Sequence, residues 1–78
     1  MSKERFKAEL VKAYTELFES DPAYSRARRL HTPEQLAEKM VDWLAVSKAE
    51  KNGQGVIAAC LACGIKNTYK GIAEFLTK

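Results

Sequence analysis

One histidine and two cysteines are all the imidazole and thiol ligands this 78-residue chain offers a metal ion. A structural zinc site takes about four such ligands, so His31, Cys60 and Cys63 would need carboxylates or a second copy to complete one. No metal and no cofactor are expected. A redox C-x-x-C sets its nucleophilic cysteine at a helix N-terminus, where the dipole favours the thiolate. Here Cys60-Leu61-Ala62-Cys63 runs into Gly64, a helix-stop residue, inside an apolar stretch. That places both thiols at the negative end of a helix and away from water, which raises their pKa. They read as small buried hydrophobes. Two cysteines this close build no disulfide framework, which fits a reducing compartment, so a cytoplasmic location is expected.

Other absences narrow the field further. No run approaches the ~18 apolar residues of a membrane span, and MSKERFKAEL mixes charges of both signs with no apolar core, unlike a secretory signal. The glycines of Asn52-Gly53-Gln54-Gly55 lack both the Lys-Ser/Thr and the preceding strand of a phosphate loop. His31 lies between Leu30 and Thr32 with no nucleophile motif to serve. No catalytic residue is identified, and the chain is expected not to be an enzyme.

Helical periodicity, by contrast, runs through the whole chain. Phe6, Leu10, Ala13, Tyr14, Leu17 and Phe18 recur at intervals of three and four, predicting a helix capped by Ser2 and running to about Ser20. Arg5 with Glu9 and Lys12 with Glu16 form i,i+4 pairs on its wet side. Asp21-Pro22 starts a short helix over PAYSRARR, with Ala23, Ala27 and Leu30 inward and Arg26, Arg28 and Arg29 outward. Thr32-Pro33-Glu34-Gln35 is a capping box with Pro at the first helical position. The helix behind it, expected to reach about Lys51, would bury Leu36, Ala37, Met40, Trp43, Leu44 and Ser47. Asn52 to Gly55 reads as a turn, and Val56 to Cys63 as a short helix covered on several sides. Gly64 suits the position just past a helix end. Asn67 or Thr68 then caps a last helix whose inner edge is Tyr69, Ile72, Phe75 and Leu76. No segment alternates as a strand does. The expectation is one all-α domain over residues 1–78, a compact bundle of four to five short helices. A core this small also makes a homodimer an expected possibility.

The net charge of +3 is uneven: residues 1–31 carry seven Lys/Arg against five Asp/Glu, residues 32–53 three against four, and residues 54–78 three against one. Basic ends suit phosphate or an acidic protein surface. RARR has a plainer reading as well, since cations in the last turn of a short helix offset its dipole.

AACLACGIKNTY, Ala58 to Tyr69, resembles the helix-turn-helix segment of transposases and small phage regulators, and the tail of small uncharacterised phage and plasmid proteins. The resemblance covers about the last twenty residues. It implies that Ala59 and Cys60 let two helices cross closely, that Gly64 makes the turn, and that Ile65 plugs the corner. It further implies that Asn67, Thr68 and Lys70 open a recognition helix, with Lys66 near phosphate and Arg26, Arg28 and Arg29 adding backbone contacts. The inward positions of that motif fall six and nine residues after the glycine, whereas Tyr69 and Ile72 fall five and eight after it. Gly71 and Glu74 occupy its outer face. A purely structural helix junction selects the same residue types. Two functions follow as expectations: a nucleic-acid-binding regulator acting by occupancy, or a protein-binding module that inhibits a host defence complex.

Overall fold

The computed structural model describes residues 2–46, 48–49 and 52–78, and the chain is all-α. Its elements are α1 (Ser2–Ser20), a single 3-10 turn (Pro22–Tyr24), α2 (Ser25–Leu30), α3 (Pro33–Ala45), α4 (Gln54–Cys63) and α5 (Tyr69–Leu76). The long α1 is the hub. α3 and α4 pack along it, and α5 docks on α3 and α1.

The hub role follows from spacing. Phe6, Leu10, Tyr14 and Phe18 are all buried and lie four residues apart. Each step of four turns the stripe by roughly 40° about the helix, so it winds round α1 and serves different partners along its length. Phe6 meets Phe75 of α5, with ring centroids 6.4 Å apart. Tyr14 and Phe18 close on Tyr24 of the 3-10 turn, at 6.0 and 6.3 Å.

The start signals at Asp21, Thr32 and Thr68 hold as read, whereas Ser2, expected to cap α1, lies within it. Asp21 Oδ1 accepts from the Ala23 N–H at 2.9 Å, ahead of the 3-10 turn. Thr32 Oγ1 accepts from Gln35 N and Gln35 Oε1 accepts from Thr32 N, completing the reciprocal capping box. Gly64, at φ 69, ends α4 in the left-handed conformation that glycine adopts without strain. Ile65 N donates to Cys60 O and Gly64 N to Leu61 O, the paired bonds of a Schellman stop.

Elsewhere the structure corrects the sequence. Trp43 is 47% exposed. Ala37, Val41 and Leu44 form the buried stripe of α3, and Trp43 lies about 120° round the helix from Ala37. Leu30 is 63% exposed and Ala23 also faces out. The 3-10 turn, with three residues per turn, brings Tyr24 and Ala27 onto one face in place of Ala23 and Ala27. α3 stops at Ala45, earlier than expected, with Val46 N and Lys48 N both turned back to Trp43 O. The expected burial of Ser47 and the expected helix end near Lys51 fall outside the described residues. Arg5 does not serve as a wet-side partner of Glu9 but donates from Nη2 to Ala62 O at 3.3 Å.

Gly55 was expected in a turn and instead lies inside α4, buried against α1. A Cβ there would run into Cε1 of Tyr14 and stand 2.8 Å from Cζ and 3.0 Å from Cδ1. Helix propensity alone would make Gly55→Ala stabilising by about 1 kcal/mol. Tyr14 is buried and packs on Phe18 and Tyr24, so the ring would have to shift against them, and overpacking of this kind costs about 1–3 kcal/mol. Gly55→Ala is therefore expected to lower the urea midpoint. In a Tyr14→Leu background, where the ring is gone, the same change should raise it. Equal effects in both backgrounds would show that the ring and the glycine are not in contact.

Candidate functional site

The two arms of α1 carry different chemistry. Arg5 reaches the C-terminus of α4, and Tyr14 lies on Gly55 near its N-terminus, so α1 and α4 run antiparallel. The Gly64–Thr68 turn accordingly sits by the first turns of α1. At the other end Arg28 Nη1 donates to Phe18 O at 3.3 Å, tying α2 to the last turn of α1. Residues 5 and 18 are about 20 Å apart along a helix. The cationic residues singled out from the sequence thus form two groups, one near each end of α1.

In the first group Lys66 and Lys70 are exposed, on either side of the N-terminus of α5. Thr68 is exposed too, but its Oγ1 accepts from Gly71 N at 3.0 Å and so serves as the helix cap. Gly71 fits beneath that cap: a Cβ would stand 3.0 Å from Thr68 Oγ1 and 3.1 Å from Lys66 O. Asn67 is half-buried, and its Oδ1 accepts the Cys60 thiol at 3.8 Å. Two of the four residues expected to face a partner therefore have side chains engaged inside the fold. In the second group Arg26 and Arg29 are exposed with their heads in water, while Arg28 holds α2 in place.

Cys60 is buried and Cys63 half-buried at the end of α4. Burial pushes the Cys60 thiol above its ordinary value of 9.0, and the neighbouring Cys63 adds to the rise. Cys63 is also raised, chiefly by burial, with Arg5 opposing and Glu9 reinforcing the shift. Arg5 has a structural task here. With the carbonyls of Cys60 and Leu61 taken by the Schellman bonds, it satisfies Ala62 O, one more of the carbonyls a helix end leaves open. Among the described residues no three His, Cys, Asp or Glu side chains converge as metal ligands would.

Tyr14 is raised far above its ordinary value of 10.0 by burial, with Tyr24 reinforcing the shift. All three groups are neutral when protonated, and the folded chain holds those protons at pH values where the unfolded chain has lost them. Stability is therefore complete below about pH 9 and falls as pH rises, first with the thiols and more steeply above pH 10 with Tyr14. Tyr14→Phe should flatten the decline above pH 10, as followed by urea unfolding at stepped pH. An unchanged slope would place the Tyr14 hydroxyl in water.

Among the shallow grooves of the surface, two adjoin α3 and α4. The larger is lined by Leu30, His31 and the α3 residues Gln35, Glu38, Lys39 and Asp42, with no serine or cysteine among them. The smaller lies between Glu9, Lys12 and Glu16 of α1 and Ala58 and Ala62 of α4. Its α4 wall belongs to a feature the sequence reading missed. Val56 to Cys63 is not covered on several sides: Ile57, Ala58, Leu61 and Ala62 are exposed, Leu61 to 78%. The complete lack of charge in this helix was the available signal. No helix among the described residues is long and apolar enough to cross a membrane. Comparison of the chain with protein-family models, with curated proteins and with solved structures gives no match.

Proposed function

We propose that this chain binds nucleic acid through its phosphates and acts by occupancy, as a small regulator, without catalysis. The observation that carries the reading is the pair of exposed lysines, Lys66 and Lys70, at the N-terminus of α5. The positive end of that helix dipole adds to their field. Arg26 and Arg29 supply a second cationic patch towards the other end of α1, and one duplex is proposed to touch both. Because the side chains of Asn67 and Thr68 are engaged internally, the contacts are of the positioning kind, with little reading of base edges. The resemblance of Ala58 to Tyr69 to phage and transposase segments is what points to a mobile element as the setting.

The test is titration of labelled duplexes of two unrelated sequences at low salt. Binding to both with similar affinity is expected. No binding to either retires the proposal. The same four free cations suit an acidic protein surface, which makes inhibition of a host complex the second reading. A chain that ignores duplexes yet retains one stoichiometric protein after nuclease treatment selects it.

A further inference from the structure

We infer that Asn52 is a site of spontaneous modification, where the Gly53 main-chain nitrogen converts the asparagine to aspartate and isoaspartate. Asparagine is among the heat-labile residues, because the nitrogen of the following residue can reach its side-chain amide. Glycine in that following position, having no Cβ, puts the least bulk and the least backbone restraint in the way. Asn52-Gly53 is such a pair.

The fold leaves the pair room to react. Asn52 is exposed. Gly53 stands just before α4 at φ −65 and ψ 148, and the first bond of that helix runs from Ile57 N to Gly53 O. The Gly53 nitrogen therefore lies outside the helical ladder. Apart from its chain neighbours, no atom of the described residues lies within 4 Å of the point a Gly53 Cβ would occupy. Asn52 does have a partner in the fold, so the reaction runs in the fraction of time that contact is open. Asn67, the second asparagine, is the contrast. It is half-buried, and its Oδ1 accepts the Cys60 thiol. The nitrogen that would attack it belongs to Thr68, which is branched at Cβ and already donates to Lys66 O at 2.9 Å.

In the reaction, solvent base takes the proton from Gly53 N, and the nitrogen bonds to Cγ of Asn52. The Cγ–Nδ2 bond breaks, and Nδ2 leaves as ammonia with a proton from water. One water then opens the succinimide ring. Opening at Cγ restores the chain as aspartate; opening at the main-chain carbonyl leaves the chain running through the side chain as isoaspartate. Either way an amide and a water become a carboxylate and ammonium, and the net charge of +3 falls by one. The new carboxylate lies beside the N-terminus of α4, whose glycine cap supplies no side-chain bond, and the helix dipole favours it there. No partner is needed, so the inference stands apart from nucleic-acid binding.

The test ages the full folded chain at mildly alkaline pH and body temperature, then maps it after brief digestion with trypsin. The two asparagines fall in separate peptides, residues 52–66 and 67–70. Conversion confined to the 52–66 peptide, with isoaspartate among the products, is expected. Gly53→Ala should slow it several-fold in a chain that folds as before, because these backbone angles suit any residue and the added Cβ meets open space. Asn52→Gln should remove the acidic species. The inference is overturned if Asn52 of the folded chain keeps its amide after the urea-unfolded chain has converted. Conversion of Asn67 as fast as Asn52, or a Gly53→Ala chain that converts at the native rate, overturns it equally.

Discussion

Replacing Arg26, Arg29, Lys66 and Lys70 with alanine should cost on the order of 10³-fold in duplex affinity near 0.1 M salt. Each phosphate neutralised contributes about 0.9 to the slope of log affinity against log salt, and four such contacts compound to that loss. The fold should be untouched. All four side chains are exposed, and surface changes of this kind stay within about 0.5 kcal/mol. Arg28 is the internal control. It is one of the same basic cluster, but its guanidinium holds Phe18 O, so Arg28→Ala should loosen α2 and lower the urea midpoint with a smaller effect on binding. Removing only Lys66 and Lys70, or only Arg26 and Arg29, should cost about half of the total in logarithmic terms. If one pair carries the whole effect, the two patches do not share a ligand.

Phe6→Ala is expected to have the largest effect on stability. Phe6 is fully buried on α1 and its ring meets Phe75, so it joins the first turns of the hub to α5. Truncating a buried phenylalanine costs about 3–5 kcal/mol. A chain of 78 residues at ~0.05–0.15 kcal/mol per residue has only about 4–12 kcal/mol in total. The variant should thus lose about a quarter or more of its stability at room temperature, read by circular dichroism against urea. Hydrogen exchange should show α5 opening first, which would also free the lysines at its start. A loss under 1 kcal/mol would mean that the contact with Phe75 is replaced by another packing.

These effects could be placed because part of the structure is written locally in the chain. A capping box needs only Thr32 and Gln35 three apart, and a left-handed stop needs only Gly64 after the last apolar turn, so both were legible. The α1 stripe was legible because four large residues repeat the interval of four without a break. α3 was harder. Its apolar positions Leu36, Ala37, Met40, Val41, Trp43 and Leu44 span more of the helix than one neighbour can cover, and only the packing on α1 decides that Val41 goes in and Trp43 stays at the edge. Gly55 shows a different limit. A glycine needed for turning and a glycine needed for the approach of a Tyr14 ring look the same in sequence.

The candidate site was legible in composition and less so in direction. Lys66, Lys70, Arg26 and Arg29 are exposed as expected, since long cationic side chains seek water. Asn67, Thr68 and Arg28 are polar residues whose heads found partners within the chain. A short polar residue beside a helix start serves a cap or a turn as readily as it serves a ligand. The exposed face of α4 went unread for the converse reason: an apolar run signals burial and does not say whether the covering layer belongs to the same chain.

The account turns on whether exposed cations near both ends of α1 act together on phosphate. The affinity of the native chain for one short duplex, measured between 0.05 and 0.2 M salt, tests this most directly. About four phosphate contacts predict a straight line of slope near −3.6. A slope near zero, or no measurable binding at the lowest salt, would contradict it.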